Sequence, residues 1–373
     1  MSAPADRPDA EGESARPDAA ADGVLLVRLG AVGDVIHALP VAHALRRALP
    51  GQRIAWAIHD RLAPLLDGNP DVDAVIRAPR RPWRGRTFGA GCSALGAVVS
   101  QLRTAACSAA IDLQGLTKSA LVARISGARL RVGFDGSGGR SGRELSPWLN
   151  NRLVRAGATH VVDRNLELLR GLGIDPPTPD GPEWFPRPAP ASETVDRFCA
   201  ERGLEAGGFV ALHPGAGWPA KEWPAARFLA LLRGLPERIG APVVVTWGGA
   251  EEEKSARSLV TEAGGIGMMA PATDLPELWD LLARAGICIA GDTGPLHMAA
   301  AAGTPCAALF GPTDGRRNGP YGPGHRVLQG RCERHPRCWR RRWRAACRCM
   351  ERIPVEEVMD ASERLWRQRH AET

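Results

Sequence analysis

The apolar run Val24 to Val27 is too short for a helix and stops at a turn holding Gly30 and Gly33, with Asp34 where strand gives way to helix. The same device returns in the second half of the chain, where Ile287 to Ala290 runs into Gly291-Asp292-Thr293-Gly294. Between and around these two points, short apolar segments alternate with stretches of helical spacing. Strands are expected at 53–58, 72–76, 109–113, 129–134, 209–212, 242–246, 267–270 and 306–310, and helices at 95–104, 120–125, 161–172, 192–202, 225–235, 251–262, 275–285 and 356–368. Strands that read as continuous apolar runs are buried on both faces, as in a parallel sheet covered by helices. The fold class is therefore α/β, as two Rossmann-like doubly wound domains facing a central cleft. Ligands bind such sheets at the carboxyl ends of the strands, where Asp34 sits, although an aspartate there also serves as an ordinary helix cap.

A chain of 373 residues is long for one core and fits two. Ile174 to Pro190 carries seven prolines and marks the boundary. No apolar run approaches the roughly 20 residues that span a bilayer. Residues 1–22 lack the apolar core of a signal peptide and read as a disordered tail. The net charge of +7 is concentrated: Arg77 to Arg86 holds five arginines and no acid, and Arg331 to Arg344 holds seven against Glu333. The remainder is slightly acidic, so the protein is not generally basic but carries two basic patches. Patches of this kind suit a phosphorylated substrate, an anionic membrane or nucleic acid. Nine cysteines, an odd number with several inside strands, point to a reducing cytoplasm. The last four, Cys332, Cys338, Cys347 and Cys349, depart from the usual zinc spacings, so a structural metal there is not expected.

Three loops at strand ends carry the chemistry. Gly30 to Asp34 lets a ligand approach the backbone closely. His213 to Lys221 (HPGAGWPAK) offers open amides and one ammonium to a diphosphate. Gly291 to His297 opens an alanine-rich helix with Asp292, Thr293 and His297 as hydrogen-bonding groups. Neither a P-loop nor a G-x-G-x-x-G after a first strand is present, which argues against those nucleotide enzymes. Arg80, Arg81 and Arg84, with Arg77, are placed to meet the carboxylates or phosphates of an acidic acceptor. Gln114 and Lys118 in the polar turn after a strand, and Arg143 beyond the Gly/Ser-rich loop 135–142, complete the acceptor-side candidates.

GAVGDVIHALP, IDLQGLTKSAL, HPGAGWPAKEWP, WGGAEEE, GDTGPLHMAAAAGTP and FGPTD, in this order, resemble glycosyltransferase family nine. The resemblance implies a GT-B fold with an acceptor domain at 23–178, a linker at 179–190, a nucleotide-sugar domain at 191–350 and a final helix, 351–373, crossing back to the first domain. It implies an inverting, metal-independent transfer of heptose from ADP-L-glycero-D-manno-heptose to a Kdo residue of the lipopolysaccharide inner core, with no cofactor. Asp34 falls in the general-base position and Lys221 in that of the lysine holding the donor phosphates. Gly215, Ala216, Asp292, Thr293, Gly294 and His297 match donor-contacting positions. Glu252 matches a nucleoside-binding glutamate, with Glu251 as the alternative. One branch of the family has a threonine pair ahead of the lysine, where this chain has Gly215-Ala216-Gly217. The implied partners are the nucleotide sugar and an anionic lipid A/Kdo acceptor, met peripherally on the cytoplasmic face of the inner membrane, without nucleic acid. Other donors or acceptors, a sugar-nucleotide epimerase, and a non-catalytic binder of anionic lipid or nucleic acid are the rival readings.

Overall fold

The computed structural model describes residues 23–80, 88–136, 144–188, 192–330 and 348–371. The tail at 1–22, together with Arg81, Arg84, Arg143, Cys332, Cys338 and Cys347, lies outside the described residues. The first sheet contains β1 (Val24–Val27), β2 (Ile54–His59), β3 (Ala74–Ala78), β4 (Ala109–Asp112), β5 (Leu130–Phe134) and β6 (Arg152–Val154). Around it lie α1 (Val32–Ile36), α2 (Leu39–Ala48), α3 (Phe88–Thr104), α4 (Thr117–Ile125), α5 (Ser146–Leu149) and α6 (Val161–Glu167). The second sheet contains β7 (Val210–His213), β8 (Val243–Val245), β9 (Met268–Met269), β10 (Ile287–Gly291), β11 (Cys306–Phe310) and β12 (Arg326–Gln329). Its helices are α7 (Glu193–Arg202), α8 (Ala225–Ile239), α9 (Ala250–Glu262), α10 (Leu275–Ala283), α11 (Gly294–Ala301), α12 (Gly315–Asn318) and α13 (Val355–Ala371).

Both sheets are parallel, in the orders β3-β2-β1-β4-β5-β6 and β12-β11-β10-β7-β8-β9. Taken from its other edge, the second sheet repeats the order of the first. Each has one place where strand order reverses, between β1 and β4 and between β7 and β10. Val27 is in register with Asp112 there, and Ala290 with His213. Every strand-end loop singled out from sequence therefore opens at a topological switch point, the crevice that binds ligands in open α/β sheets.

The expected helix after Asp34 is two helices. Pro40 sits at the second position of α2, where no intrahelical donor is needed, so the chain restarts at Ala38 instead of continuing from α1. One buried apolar cluster joins the inner faces of the two sheets through α1, α2, α10 and α11. The described part of the proline-rich boundary packs into it: Trp184 and Phe185 are buried, and the Trp184 indole donates to Asp180.

The last helix, α13, has its main packing within the second domain. The apolar stripe Val358, Ala361 and Leu365 enters the outer core of the second domain with Leu231 and Leu235 of α8. Arg238 of α8 pairs with Glu356, Asp360 and Glu363 on successive turns of α13. The packing of α13 is with α8 and the β10 to β12 side of its own sheet, because its apolar stripe and its acids both find their complements there.

Candidate active site

At the end of β1 the buried Arg28 guanidinium donates to the Leu113 carbonyl and pairs with Asp34. Asp34 lies in the first turn of α1, where it accepts the Ala31 amide at 3.0 Å, and its side chain keeps 37% exposure. The backbone bond fixes the loop and the guanidinium fixes the carboxylate, which is more than a third exposed.

Beside Asp34 is a cavity of about 120 Å³, lined among others by Arg28, Gln114, Glu144, Arg164 and Arg317. Its floor is organised by Asp112, which is fully buried and accepts four hydrogen bonds, from the amides of Gln114 and Gly115 and from Ser146 and Asn150. Gln114 in turn accepts the Leu29 amide at 3.1 Å, tying the β4 turn to the β1 turn. Gln114 is among the residues that line the cavity. Lys118 and Arg80 are exposed and are not among its lining residues, while Arg81, Arg84 and Arg143 fall outside the described residues. The cations that do converge here, Arg28, Arg164 and Arg317, stand alone or in a short pair in the sequence, so a search for arginine runs passes over them.

On the opposite side, Lys221 ends a short helical turn, Pro219–Lys221, after the glycine loop. Its ammonium is 2.6 Å from the Asp292 carboxylate, donates to the Asp292 carbonyl at 3.1 Å, and lies 4.9 Å above the Trp218 ring. Burial pushes the Asp292 carboxyl up, but the His297 hydrogen bond and the Lys221 charge outweigh it and hold the group well below the usual range. His297 approaches that carboxylate to 3.4 Å from α11. Thr293 donates to the Gly291 carbonyl at 3.2 Å, and Gly294 begins α11.

Glu252, in the first turn of α9, accepts the Gly248 amide at 2.8 Å and faces the glycine loop, whereas Glu251 is exposed. A Cβ on Gly215 would lie 2.6 Å from the Glu252 carboxyl carbon, so this loop has a glycine where the glutamate passes. Ala216 follows on the same loop, partly buried. Burial raises the Glu252 carboxyl above its ordinary value. His213, 3.7 Å away, is pushed down to about 4 by burial and is neutral at physiological pH, so the two do not form an ion pair there.

The two sides touch. A Cβ on Gly33 would fall 2.3 Å from the His297 ring, and one on Gly294 2.7 Å from Val32. The His37 and His297 rings stack edge to face at 4.3 Å. Burial above all, then charge on His297, His160 and Arg28, holds His37 well below the usual imidazole range. Nearby, Tyr321 donates to Asp163 at 2.6 Å and His160 meets the Gly319 carbonyl at 3.1 Å. Asp34 is thus one residue from the contact with α11, whose preceding turn carries Asp292, the partner of Lys221. Among the described residues no group of three His, Cys, Asp or Glu is placed to hold a metal ion. Cys349 is buried ahead of α13.

Two domains of one strand order, facing across a cleft with an accessible acid on one wall and a lysine-bearing glycine loop on the other, define the class: a glycosyltransferase of GT-B architecture. The model for glycosyltransferase family 9 (heptosyltransferase) matches residues 95–344, and the chain belongs to that family. It is 32% identical over 301 residues to lipopolysaccharide heptosyltransferase 1 of Pseudomonas aeruginosa, covering 80% of this chain and 81% of the relative. Identity is also 32% over 305 residues to the enzyme of that name from Salmonella typhimurium, covering 80% and 91%. The solved structure of E. coli heptosyltransferase WaaC with ADP superposes with a TM-score of 0.72 at 26% identity, covering 92% of this chain and 99% of that one.

Proposed function

We propose that this glycosyltransferase moves a heptose, with inversion, from ADP-L-glycero-D-manno-heptose to a Kdo residue of the lipopolysaccharide inner core. The observation that carries the reading is the close approach of Gly33 to His297, which brings Asp34 near the paired Lys221 and Asp292 of the two donor-side loops. The similarity to lipopolysaccharide heptosyltransferases and to a heptosyltransferase solved with ADP supports the donor and acceptor classes.

In this reading Asp34 accepts the proton of the attacking hydroxyl while the anomeric carbon gains positive character, and Arg28 keeps the carboxylate aimed. The departing diphosphate gathers charge, which Lys221, the amides at Gly215 to Gly217 and the N-terminus of α11 meet with fixed positive ends. Asp292 orients Lys221, and His297 orients Asp292. Glu252 receives hydroxyl groups of the nucleoside. Arg28, Arg164 and Arg317 draw an acidic sugar into the cavity at Asp34. Positive charge for the leaving group comes from the chain itself, so the scheme needs no metal or other cofactor. A lipid-borne acceptor places the work at the cytoplasmic face of the inner membrane; no helix among the described residues is long and apolar enough to cross a bilayer.

Incubation of the enzyme with a panel of nucleotide sugars and a deacylated Kdo acceptor, read by mass, tests this. The expected product is the acceptor heavier by one heptose, formed from ADP-heptose and not from UDP-sugars. Conversion of a donor with no acceptor present would instead make the protein an epimerase.

A further inference from the structure

Large exposed apolar side chains are few among the described residues, and four of the seven, Leu121, Leu145, Trp148 and Leu153, lie on α4, α5 and the edge strand β6. Trp148 is 87% exposed and Leu145 56%. Scattered apolar residues on a surface need no explanation, but a cluster does. The elements are contiguous: α4 packs against α5, and β6 begins two residues after α5.

The segments that carry this cluster are cationic. Among residues 117–136 and 144–156, Lys118, Arg124, Arg129, Arg131, Arg152 and Arg155 stand against two carboxylates, Asp135 and Glu144. The acid nearest in sequence to α5, Glu144, turns inward to accept the Thr117 amide and hydroxyl at 2.7 and 2.8 Å. The exposed tryptophan is firmly mounted, since Ser146 and Asn150 at the two ends of α5 both donate to buried Asp112, and Arg131 donates to the Leu149 carbonyl. Ser146 and Pro147 of the same helix line the cavity beside Asp34. The outward apolar tip and the inward cavity wall are thus two sides of one small element.

We propose that this face, an apolar wedge of Trp148, Leu121, Leu145 and Leu153 ringed by cations, seats the enzyme on an anionic phospholipid bilayer. It thereby presents the Asp34 cavity to an acceptor held in that bilayer, a point that rests on the acceptor being lipid-linked. Indole and leucine side chains partition into the interfacial zone of a membrane, and the surrounding cations are drawn to its anionic headgroups. A second copy is a poorer occupant. A two-fold contact would set this predominantly cationic face against itself.

Flotation of the full-length protein with vesicles of phosphatidylcholine, alone or with about one third phosphatidylglycerol, tests the assignment. The wild type is expected on the anionic vesicles and to be released by added salt. Trp148→Ser combined with Leu145→Ser, and separately Arg124→Glu combined with Arg155→Glu, should each weaken binding by roughly tenfold or more. Both variants should transfer to a soluble deacylated acceptor at the wild-type rate. Unchanged vesicle binding by either variant overturns the proposal. So does a wild type that ignores vesicles but forms a dimer dissolved by the Trp148 and Leu145 substitutions. Absence of transfer to the soluble acceptor in the wild type would count against the functional reading and leave the vesicle result standing by itself.

Discussion

Gly33 is the residue on which the joining of the two domains turns. Its missing side chain leaves room for the His297 ring, and a methyl group 2.3 Å from a buried imidazole has to displace α1 or α11. Gly33→Ala should therefore fold yet lose on the order of tenfold or more in turnover, because a displacement near 1 Å at reacting groups costs that much or more. Wild-type kcat in that variant would mean that the contact does not position the base. Asp112 is the second such residue. Its four donors lie in the interior, and Asp112→Ala leaves them unmatched, so a loss of about 3 kcal/mol or more is expected, read as a lowered Tm. A drop of less than about 1 kcal/mol would show that water or side-chain movement replaces the carboxylate.

At the scale of elements, the central strands were readable because burial on both faces leaves an apolar run, as in Val24 to Val27 and Cys306 to Phe310. The edge strands β6 and β12 were not. They expose Arg152, Leu153, Arg326 and Val327 and bury only Val154 and Leu328, so their short sequences carry neither a run nor a clear alternation. Helix α5 is four residues long, below any period that a sequence can display. The strand-end loops were readable as a set, because three of them carry glycine with an acid or a lysine, although an aspartate such as Asp34 also has a capping use there. The cations of the cavity beside Asp34 were not, since Arg28, Arg164 and Arg317 become neighbours only through the fold. Choosing Glu252 over Glu251 likewise required knowing which side of α9 meets the glycine loop. The last helix offers its own test. Leu365 is buried in the outer core of the second domain, and Leu365→Ala should cost about 2–5 kcal/mol in denaturant unfolding. An unchanged midpoint would mean that α13 does not contribute to that core.

For the molecule as a whole, buried histidines govern the response to acid. His213 and His325 are pushed down to about 4 by burial, and His37 and His160 are lowered for the same first reason. An unfolded histidine titrates near 6.5, so between about pH 6.5 and 4 the unfolded chain binds more protons than the native one. Stability must fall as pH drops through that interval. Asp292, held below the ordinary carboxylate range, adds a further loss beneath about pH 4. Tm followed from pH 7 to 4 should decline, and the decline should be shallower in His325→Gln. A flat profile would contradict the neutral burial of these rings.

The two sheets of matching order bring the Asp34 carboxylate of one domain towards Lys221 and Asp292 of the other, and the proposed transfer makes that carboxylate the base. Its most direct test is Asp34→Asn, measured for ADP affinity and for heptose transfer on the same preparation. Undiminished ADP binding with turnover at least about a hundredfold slower is the predicted result, since a positioned base typically supplies 10² to 10⁴ in rate. Transfer at a rate near that of the wild type would remove Asp34 from the chemistry.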